Sequence, residues 1–443
     1  MTGQMQMRET IFALSSGGLP AGVAIVRLSG PRVAEALEAL TGAVPQARMA
    51  RLTAIRDQQG TLLDRGLVLF FPAPHSFTGE DCAELHLHGG RAVVRAVLNA
   101  LGRRPTFRPA EAGEFTKRAF LNGKIDLTGA EALADLIAAE TEAQRRFALA
   151  SGDARHQKLY ADWRQTLLRA RAMIEAELDF ADEEDVPGSI AATVWREVEA
   201  LCALMDHHAD GYRDAEIIRD GFRVVILGAP NAGKSSLLNA MARRDIAIVT
   251  EEPGTTRDVL EAALDIGGAK VIVTDTAGIR ADPGRIEALG MDRAMDRARE
   301  ADLIILLEDA DNPQSVALPE GTAHIRVANK IDLAHDARLL AAYDCAVSAK
   351  TGVGLEELLT RLGGICADST RRAAELLPFR ERHVHLIRLA ARHARQAVAM
   401  DHLGLELRAE ELRLAADALG RIAGAIDVED LLDTIFSQFC IGK

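Results

Sequence analysis

Gly228-Ala229-Pro230-Asn231-Ala232-Gly233-Lys234-Ser235 follows the apolar run Val224-Val225-Ile226-Leu227 and leads into Ser236-Leu237-Leu238-Asn239-Ala240. The apolar run reads as a buried parallel strand and the segment after the loop as a helix start. A glycine-rich turn between the two aims several backbone N–H groups, and the positive end of the helix dipole, at one point. A phosphate chain is the natural occupant, cradled from Asn231 through Ala232, Gly233 and Ser236. Lys234 would reach the outer phosphates and the Ser235 hydroxyl would ligate magnesium. A chance match in a turn explains this poorly, because strand, loop and helix occur in the required order and three companion motifs follow.

The first companion is Gly254-Thr255-Thr256-Arg257-Asp258. A threonine there can place its hydroxyl on magnesium and its backbone on the terminal phosphate. Thr256 is assigned to the metal, and both Thr255 and Thr256 to the nucleotide. Alone this is weak, since Gly-Thr-Thr also suits any tight turn. Val271-Ile272-Val273-Thr274-Asp275-Thr276-Ala277-Gly278 is stronger: a strand delivers Asp275 to the magnesium shell, and Gly278 lets a backbone N–H approach the terminal phosphate. Ala328-Asn329-Lys330-Ile331-Asp332 ends another strand, and Asp332 can accept two hydrogen bonds that guanine offers and adenine does not. Ser348-Ala349-Lys350 supplies the loop that closes over the base. Together the motifs specify a GTPase. In small GTPases the residue after Asp-Thr-Ala-Gly is a glutamine that positions the attacking water. Here it is Ile279, which can neither orient nor polarise water.

Outward from this block, 443 residues allow two to four domains at roughly 100–200 residues each. With 48% hydrophobic and only 4% aromatic residues, the cores should be aliphatic and rich in helices. No apolar run approaches the ~18 residues that span a bilayer, and no signal peptide is expected. Cys82, Cys202, Cys345, Cys366 and Cys440 are scattered without a Cys-x-x-Cys pair, the usage of reduced thiols in a cytoplasm. A formal charge of −13 argues against broad non-specific nucleic-acid affinity. Any tRNA contact should be modest and local, through Arg103-Arg104 and Lys117-Arg118.

Residues 1–120 read as mixed α/β: a strand over Gly22–Gly30, a helix after Pro31, a strand over Gly66–Phe71 and another over Cys82–His88, then a helix from Arg91. His86 and His88 share a strand face, which admits a metal or a solvated, hydrogen-bonded pair; no nearby third ligand is evident. Residues 121–220 turn helical, with Trp163, Leu167, Ala170, Ile174 and Leu178 on one face. The acidic run Asp182–Asp185 reads as a solvated helix end. Residues 221–366 alternate strands and helices as a doubly wound parallel sheet. In 367–443 the helical period returns at Leu412, Ala415, Leu419, Ile422 and Ile426. The expected architecture is multidomain, α/β plus α, with the P-loop domain inserted into a split helical domain.

Beyond the GTPase motifs, the chain carries Val26-Arg27-Leu28-Ser29-Gly30, Ser76-Phe77-Thr78-Gly79-Glu80-Asp81, His88-Gly89-Gly90, Gly113-Glu114-Phe115-Thr116-Lys117-Arg118-Ala119-Phe120-Leu121-Asn122 and the terminal Phe439-Cys440-Ile441-Gly442-Lys443. With these it resembles the bacterial tRNA-modification GTPase family MnmE, also called TrmE, over its whole length. The resemblance implies an N-terminal domain like folate-binding aminomethyltransferase domains, which also mediates homodimerisation. It implies joint action with the flavoprotein MnmG, in a heterotetramer, to install an aminomethyl-type (carboxymethylaminomethyl) group on the 5-carbon of wobble uridine in tRNA. A tetrahydrofolate derivative, 5-formyl or methylene, would supply the one-carbon unit, held by Arg27, Glu84, Lys124 and Lys443. Cations suit the folate glutamate tail and a carboxylate suits the amino-pyrimidine edge of the pterin. The resemblance further implies potassium activation, with GTPase domains pairing across the dimer and Asn231, Thr250 and Thr255 around the ion. Glu287 matches the family's water-orienting glutamate and fills the gap left by Ile279. The first glycine loop, Gly17-Gly18-Leu19-Pro20-Ala21-Gly22, departs from the family's Pro-Gly-Arg-Gly-Gly.

Cys440 is either a nucleophile toward the uracil ring, if a cation lowers its pKa, or a packing residue at the folate site. The competing class is a ribosome-assembly or scaffolding GTPase whose flanks only bind RNA or membranes. The flanking motifs and the terminal cysteine argue for the first class, and binding of a reduced folate separates the two.

Overall fold

The computed structural model describes residues 9–179, 189–244, 248, 261–275, 295–314, 316–333, 337–400, 404–424, 432, 435–437, 439 and 441–442. The chain forms two compact units, one gathering 1–134, 157–165 and 416–443, the other 135–156 and 166–415.

In the first unit, β1 (Thr10–Leu14), β2 (Ala21–Ser29), β3 (Arg51–Arg56), β4 (Leu62–Phe71), β5 (Cys82–Gly89) and β6 (Phe107–Pro109) form a sheet in the order β3-β4-β5-β2-β1-β6. All neighbours are antiparallel except β1 and β6. Strict alternation splits the strands into two faces. Val26, Leu28, Leu85, Leu87 and Val68 point to one side. There they pack under α1 (Val33–Thr41) and α2 (Arg91–Gly102), which contribute Leu37, Leu40, Val94, Val97 and Leu101. Each such side chain, fully buried, stabilises the fold by about 1.5–3 kcal/mol. Arg27, Glu84 and His86 alternate to the opposite face. The sequence reading found β2, β4 and β5 but not β1, β3 or β6, which are short and lack a clean apolar period.

Next come α3 (Glu114–Leu121) and α4 (Leu127–Ala138). Phe115 of α3 closes a small core with Ile11, Ala13 and Ala110. Leu127 and Ala130 of α4 pack with Leu432, Phe436 and Phe439 from the end of the chain. That closure depends on Gly113: its φ is +67°, and a Cβ there would lie 2.3 Å from the Phe436 carbonyl oxygen.

The Gly-Glu-Phe-Thr-Lys-Arg motif folds into a buried ionic network. Arg118, only 3% exposed, donates to Glu80 Oε2 at 2.9 Å, Glu114 Oε1 at 3.0 Å and the Glu9 carbonyl at 3.0 Å. Arg108 grips Glu114 with two 2.7 Å bonds and reaches Glu9 Oε2 at 2.8 Å. Burial alone would raise the Glu114 pKa; the hydrogen bonds from Arg108 and the Glu111 amide, and the charges of Arg118 and Arg108, outweigh it and hold it low. Arg118 therefore corrects the expectation that it offers a cation to tRNA.

The second unit holds α5 (Glu142–Gly152), most of α6 (Arg155–Asp179), α7 (Ser189–Asp210) and α8 (Tyr212–Asp220), then the nucleotide block. Its strands are β7 (Phe222–Leu227), β8 (Glu261–Ile266), β9 (Ala269–Asp275), β10 (Leu303–Asp309), β11 (His324–Asn329) and β12 (Cys345–Ala346), in the order β12-β11-β10-β7-β9-β8. Five strands are parallel. β8 runs antiparallel to β9, so the expected all-parallel sheet acquires one reversed edge. Val224 and Ile226 face one layer of apolar side chains, Val225 and Leu227 another. Burial on both faces explains why β7 reads as an unbroken apolar run. α9 (Lys234–Ala242) and α10 (Leu355–Thr370) cover the first face through Leu237, Leu238, Met241, Leu358 and Leu362.

The chain closes with α11 (Glu381–Ala399) and α12 (Leu405–Ile422). The buried stripes Trp163-Leu167-Ala170-Ile174 and Leu412-Ala415-Leu419-Ile422 follow the expected helical period. Ile426 and the acidic run Asp182–Asp185 lie outside the described residues. Among the described residues no helix is long and apolar enough to cross a membrane, and Cys82, Cys202, Cys345 and Cys366 are free and buried. Arg380 joins α11 to α4 through a bidentate pair with Asp135 at 2.8 Å. Phe379 stands edge-on to Phe147, to His156 at 5.3 Å and to His383 at 4.8 Å. Beside them, burial first, then the charges of His156, His383, His207 and Arg372, push the His208 pKa down to about 3.

Arg118→Ala should strip the buried Glu114 and Glu80 of their partner and destabilise the first unit by about 3–5 kcal/mol. Arg145→Ala, which breaks a fully exposed pair with Glu142, should leave stability almost unchanged. Calorimetric unfolding of the two variants checks the contrast, and equal shifts would refute it. His208 adds an acid dependence. A histidine depressed on folding contributes its full stability above its unfolded value of 6.5. That stability is lost as pH falls, by up to about 1.4 kcal/mol per pH unit. Urea titrations between pH 7.5 and 5 should show the slope in the wild type and a flatter one in His208→Leu.

Candidate functional site

The phosphate loop leaves β7 at Gly228, where a Cβ would lie 2.2 Å from the Leu307 carbonyl oxygen of β10. It turns through exposed Asn231 at φ +65° and Gly233 at φ +96°. A Cβ on Gly233 would come within 2.3 Å of Asn329 Nδ2. α9 then starts without a side-chain cap on its first N–H groups, which leaves them to an anion. Lys234 folds back over the loop, its ammonium donating to the Gly228 carbonyl at 2.8 Å and the Ala229 carbonyl at 3.0 Å. Burial lowers its pKa, and Asp275 opposes that shift.

β9 ends with Asp275, 1% exposed, opposite Ile226 of β7. The Ser235 hydroxyl donates to Asp275 Oδ2. Two hard oxygens, one anionic, thus meet beside the phosphate loop, a donor set that fits magnesium.

The third part is a cavity of about 530 Å³ lined by Gly233, Ser236, Asn239, Asn329, Lys330, Asp332, Ser348, Ala349 and Lys350. Asn329 is buried and ties two loops together: its Nδ2 donates to the Ala232 carbonyl at 2.8 Å, and its Oδ1 accepts from the Ala349 amide at 3.1 Å. Ser348 Oγ donates to Asp332 Oδ1 at 2.6 Å, which fixes an otherwise exposed carboxylate at the cavity. Lys330, at φ +62°, pairs with Asp309 at 2.7 Å. The arrangement presents a carboxylate with the chemistry to accept from an N–H and an amino group on one edge of a base. Of the nucleotide residues expected from sequence, Asn231 to Ser236, Asp275, Asn329, Lys330, Asp332 and Ser348 to Lys350 are brought together. Thr250, Thr255, Thr256, Gly278, Ile279 and Glu287 lie outside the described residues.

In the first unit, Arg27 and Glu84 sit opposite each other across β2 and β5, with Arg27 Nη2 donating to Glu84 Oε1 at 2.9 Å. The guanidinium lies 5.9 Å from the ring centres of Phe77 and Phe115, two aromatic walls whose motifs give them no role in the sequence alone. His86 Nε2 is 3.3 Å from Glu84 Oε2, while His88 Nδ1 pairs with Asp64 at 2.8 Å. The two histidines thus serve different carboxylates, and the described residues contain no group of three or more His, Cys, Asp or Glu side chains able to hold a metal ion. Burial would raise the Asp64 pKa, but its bonds from His88 hold it low. Lys124 Nζ donates to the Pro74 carbonyl at 2.8 Å. Cys440 and Lys443 fall outside the described residues, but their neighbours are fixed. Ile441 bridges to Ala112, and Ser15 Oγ donates to the Gly442 carbonyl at 2.8 Å. The chain end therefore docks beside the first glycine loop, a contact no local sequence signal announces.

Two family models match the chain. Residues 10–124 match the family model for the GTP-binding protein TrmE N-terminus, and residues 127–440 match the MnmE helical domain. The chain is 61% identical over 443 residues to the tRNA modification GTPase MnmE of Chelativorans sp., covering 100% of both chains. It is 56% identical to that of Mesorhizobium japonicum, over 98% of this chain and 99% of the relative. Identity to the Brucella ovis protein of the same name is 54%, over 98% of each. With a GTPase core, the N-terminal and helical parts and full-length relatives in agreement, the chain belongs to the MnmE (TrmE) family of tRNA modification GTPases.

Proposed function

We propose that the chain is a potassium-activated GTPase that, with the flavoprotein MnmG, uses a tetrahydrofolate one-carbon unit to install a carboxymethylaminomethyl-type group on the 5-carbon of wobble uridine. In this reading residues 1–120 bind folate and dimerise, 121–220 and 367–443 form the helical domain, and 221–366 are the inserted GTPase. The observation that carries the nucleotide half is Asp332, aimed by Ser348 into a cavity whose far wall is the phosphate loop. Ser235 and Asp275, with Thr256, would hold magnesium, which neutralises charge on the outer phosphates when bound. Asn231, Thr250 and Thr255 would surround potassium, which supplies positive charge between those phosphates. Glu287 would orient the attacking water that Ile279 cannot.

The folate half is supported by Arg27, Glu84 and Lys124 on one unit, with a cation and a carboxylate beside exposed Phe77. The homodimer is supported by the sheet's free edge, where Leu52, Leu62 and Leu67 are 72%, 45% and 42% exposed. Single exposed leucines are ordinary, but three on a paired edge ribbon mark a surface suited to a second copy. MnmG would complete a cytoplasmic heterotetramer acting on tRNA. No observation favours the scaffolding alternative.

Asp332→Asn should move preference from GTP toward xanthosine triphosphate, because the amide reverses one donor–acceptor pair and now suits a ring carbonyl. Competition binding decides this, and unchanged guanine selectivity would sink the base-recognition assignment.

Glu287→Ala should spare GTP affinity yet slow turnover by ~10²-fold or more, the scale of a lost general base or water-positioning group. Replacing potassium by sodium should lower wild-type turnover sharply, and Asn231→Ala should mainly remove that salt response. Equal rates in matched potassium and sodium buffers, or a fully active Glu287→Ala, would place the catalytic machinery elsewhere.

A further inference from the structure

In the first unit, α2 (Arg91–Gly102) contains no aspartate or glutamate. Its core side is Val94, Val97, Ala100 and Leu101. At about 3.6 residues per turn, the opposite side falls to Arg91, Arg95, Asn99 and, one residue past the helix, Arg103. All four are exposed. Among the described residues none of the three arginines forms an ion pair. Arg91 donates to the Leu19 carbonyl of the first glycine loop at 3.0 Å, while Arg104 is half-buried against Phe107. In a chain of formal charge −13, an arginine stripe without a carboxylate on its own helix is a local exception. From Arg95 to Arg103 it rises about 12 Å.

The Arg103 end of the stripe borders a cavity of about 970 Å³. Asn99, Gly102 and Arg103 form one wall, and Phe12, Leu98 and Ile441 supply apolar surface. The first glycine loop closes another side with Gly17 and Gly18, where a Cβ would meet nothing within 4 Å. Ile441, on the docked chain end, is 64% exposed. A Cβ on Gly102 would stand 3.5 Å from Phe12 Cζ, so a larger side chain there would occupy space between the helix and that ring. Arg27, Glu84 and Lys124 are not among the walls, which separates this cavity from the Arg27–Glu84 cluster. Its volume lies within the roughly 300–1,000 Å³ of ligand cavities, and its make-up is theirs too: apolar surface with a few polar groups at the edge.

We propose that this face binds an unpaired stretch of tRNA, with backbone phosphates on the arginine stripe and the uracil of the wobble nucleotide in the cavity. The inference deepens the tRNA reading above and rests on it. Guanidinium groups pair with phosphate oxygens through two parallel N–H bonds, which three unpaired arginines at the surface are able to offer. Sequence-specific RNA recognition uses bases splayed out of loops and seated against apolar or aromatic surface. The Asn99 amide carries one acceptor and two donors, a match for the N3–H and the carbonyl oxygens of uracil. An acidic peptide would satisfy the arginines but has no planar ring for the cavity. The two features lie side by side because Asn99 and Arg103 belong to both.

The test uses the full chain at low salt and two probes: an anticodon stem-loop RNA with uridine at the wobble position, and the same RNA abasic there. Wild type should bind the uridine RNA about fivefold or more tighter, the scale of seating one base. Arg95→Gln and Arg103→Gln should each weaken both RNAs by about threefold to tenfold and reduce the slope of log affinity against log salt by about 0.7. Gly102→Leu, which a helix favours over glycine, should weaken only the uridine RNA, down to the abasic value. Equal binding of the two RNAs by wild type, or unmoved salt slopes in the arginine variants, would overturn the proposal. So would the absence of stem-loop binding in a wild type that still modifies tRNA beside the flavoprotein. If wild type neither binds the RNA nor takes part in its modification, the proposed function itself fails, an outcome distinct from modification with unmoved affinities.

Discussion

The buried amide of Asn329 is the contact on which the nucleotide half depends. One side chain at the end of β11 donates to the phosphate loop at Ala232 and accepts from the base loop at Ala349. The first bond is buried and the second partly so, and leaving a buried amide group unpaired would cost about 1–3 kcal/mol. The approach is possible only because Gly233 has no Cβ, since one would lie 2.3 Å from Asn329 Nδ2. Three loops, 97 and 20 residues apart along the chain, therefore share one pocket. The parallel pairing of β7, β10 and β11 brings their carboxyl ends together and sets the distance that this amide spans.

A comparable economy organises the N-terminal sheet. Arg118, Arg108, Glu114 and Glu80 look in sequence like a charged surface, yet they form a closed network under the strands. Their neighbours carry the exposed chemistry. Ser29 donates to Glu80, and Asn122 donates to the Thr78 carbonyl at 2.7 Å, so the loop bearing Phe77 is held from both sides. Buried pairs of this kind give little net stability against an apolar replacement, but they penalise every arrangement that leaves one charge alone. Their role here is to fix where the loop sits against Arg27 and Glu84.

Between the two halves of the second unit, geometry does what neither could do alone. α5 satisfies its first N–H groups partly through its own capping box and partly through the Gly268 carbonyl of the GTPase hairpin. A helix start that borrows an acceptor from a strand pair is sensitive to that pair's position.

The sequence by itself determined the P-loop core, the placing of Asp332 just beyond a strand end, the helical stripes and the family, because each rests on short motifs and spacings. Gly228, Gly233 and Asp332 act within a few residues of the turn or strand that presents them, and a stripe such as Leu412-Ala415-Leu419 needs only the period of one helix. What only the tertiary structure decided are the pairings between distant segments. The reversed edge strand β8, the burial of Arg118, the separate carboxylates of His86 and His88 and the docking of Gly442 on Ser15 carry no local signature. An arginine in a motif looks the same whether it meets water or two glutamates. Which of the two it meets is settled by how strands align across the sheet, and that is fixed by packing rather than by spacing along the chain.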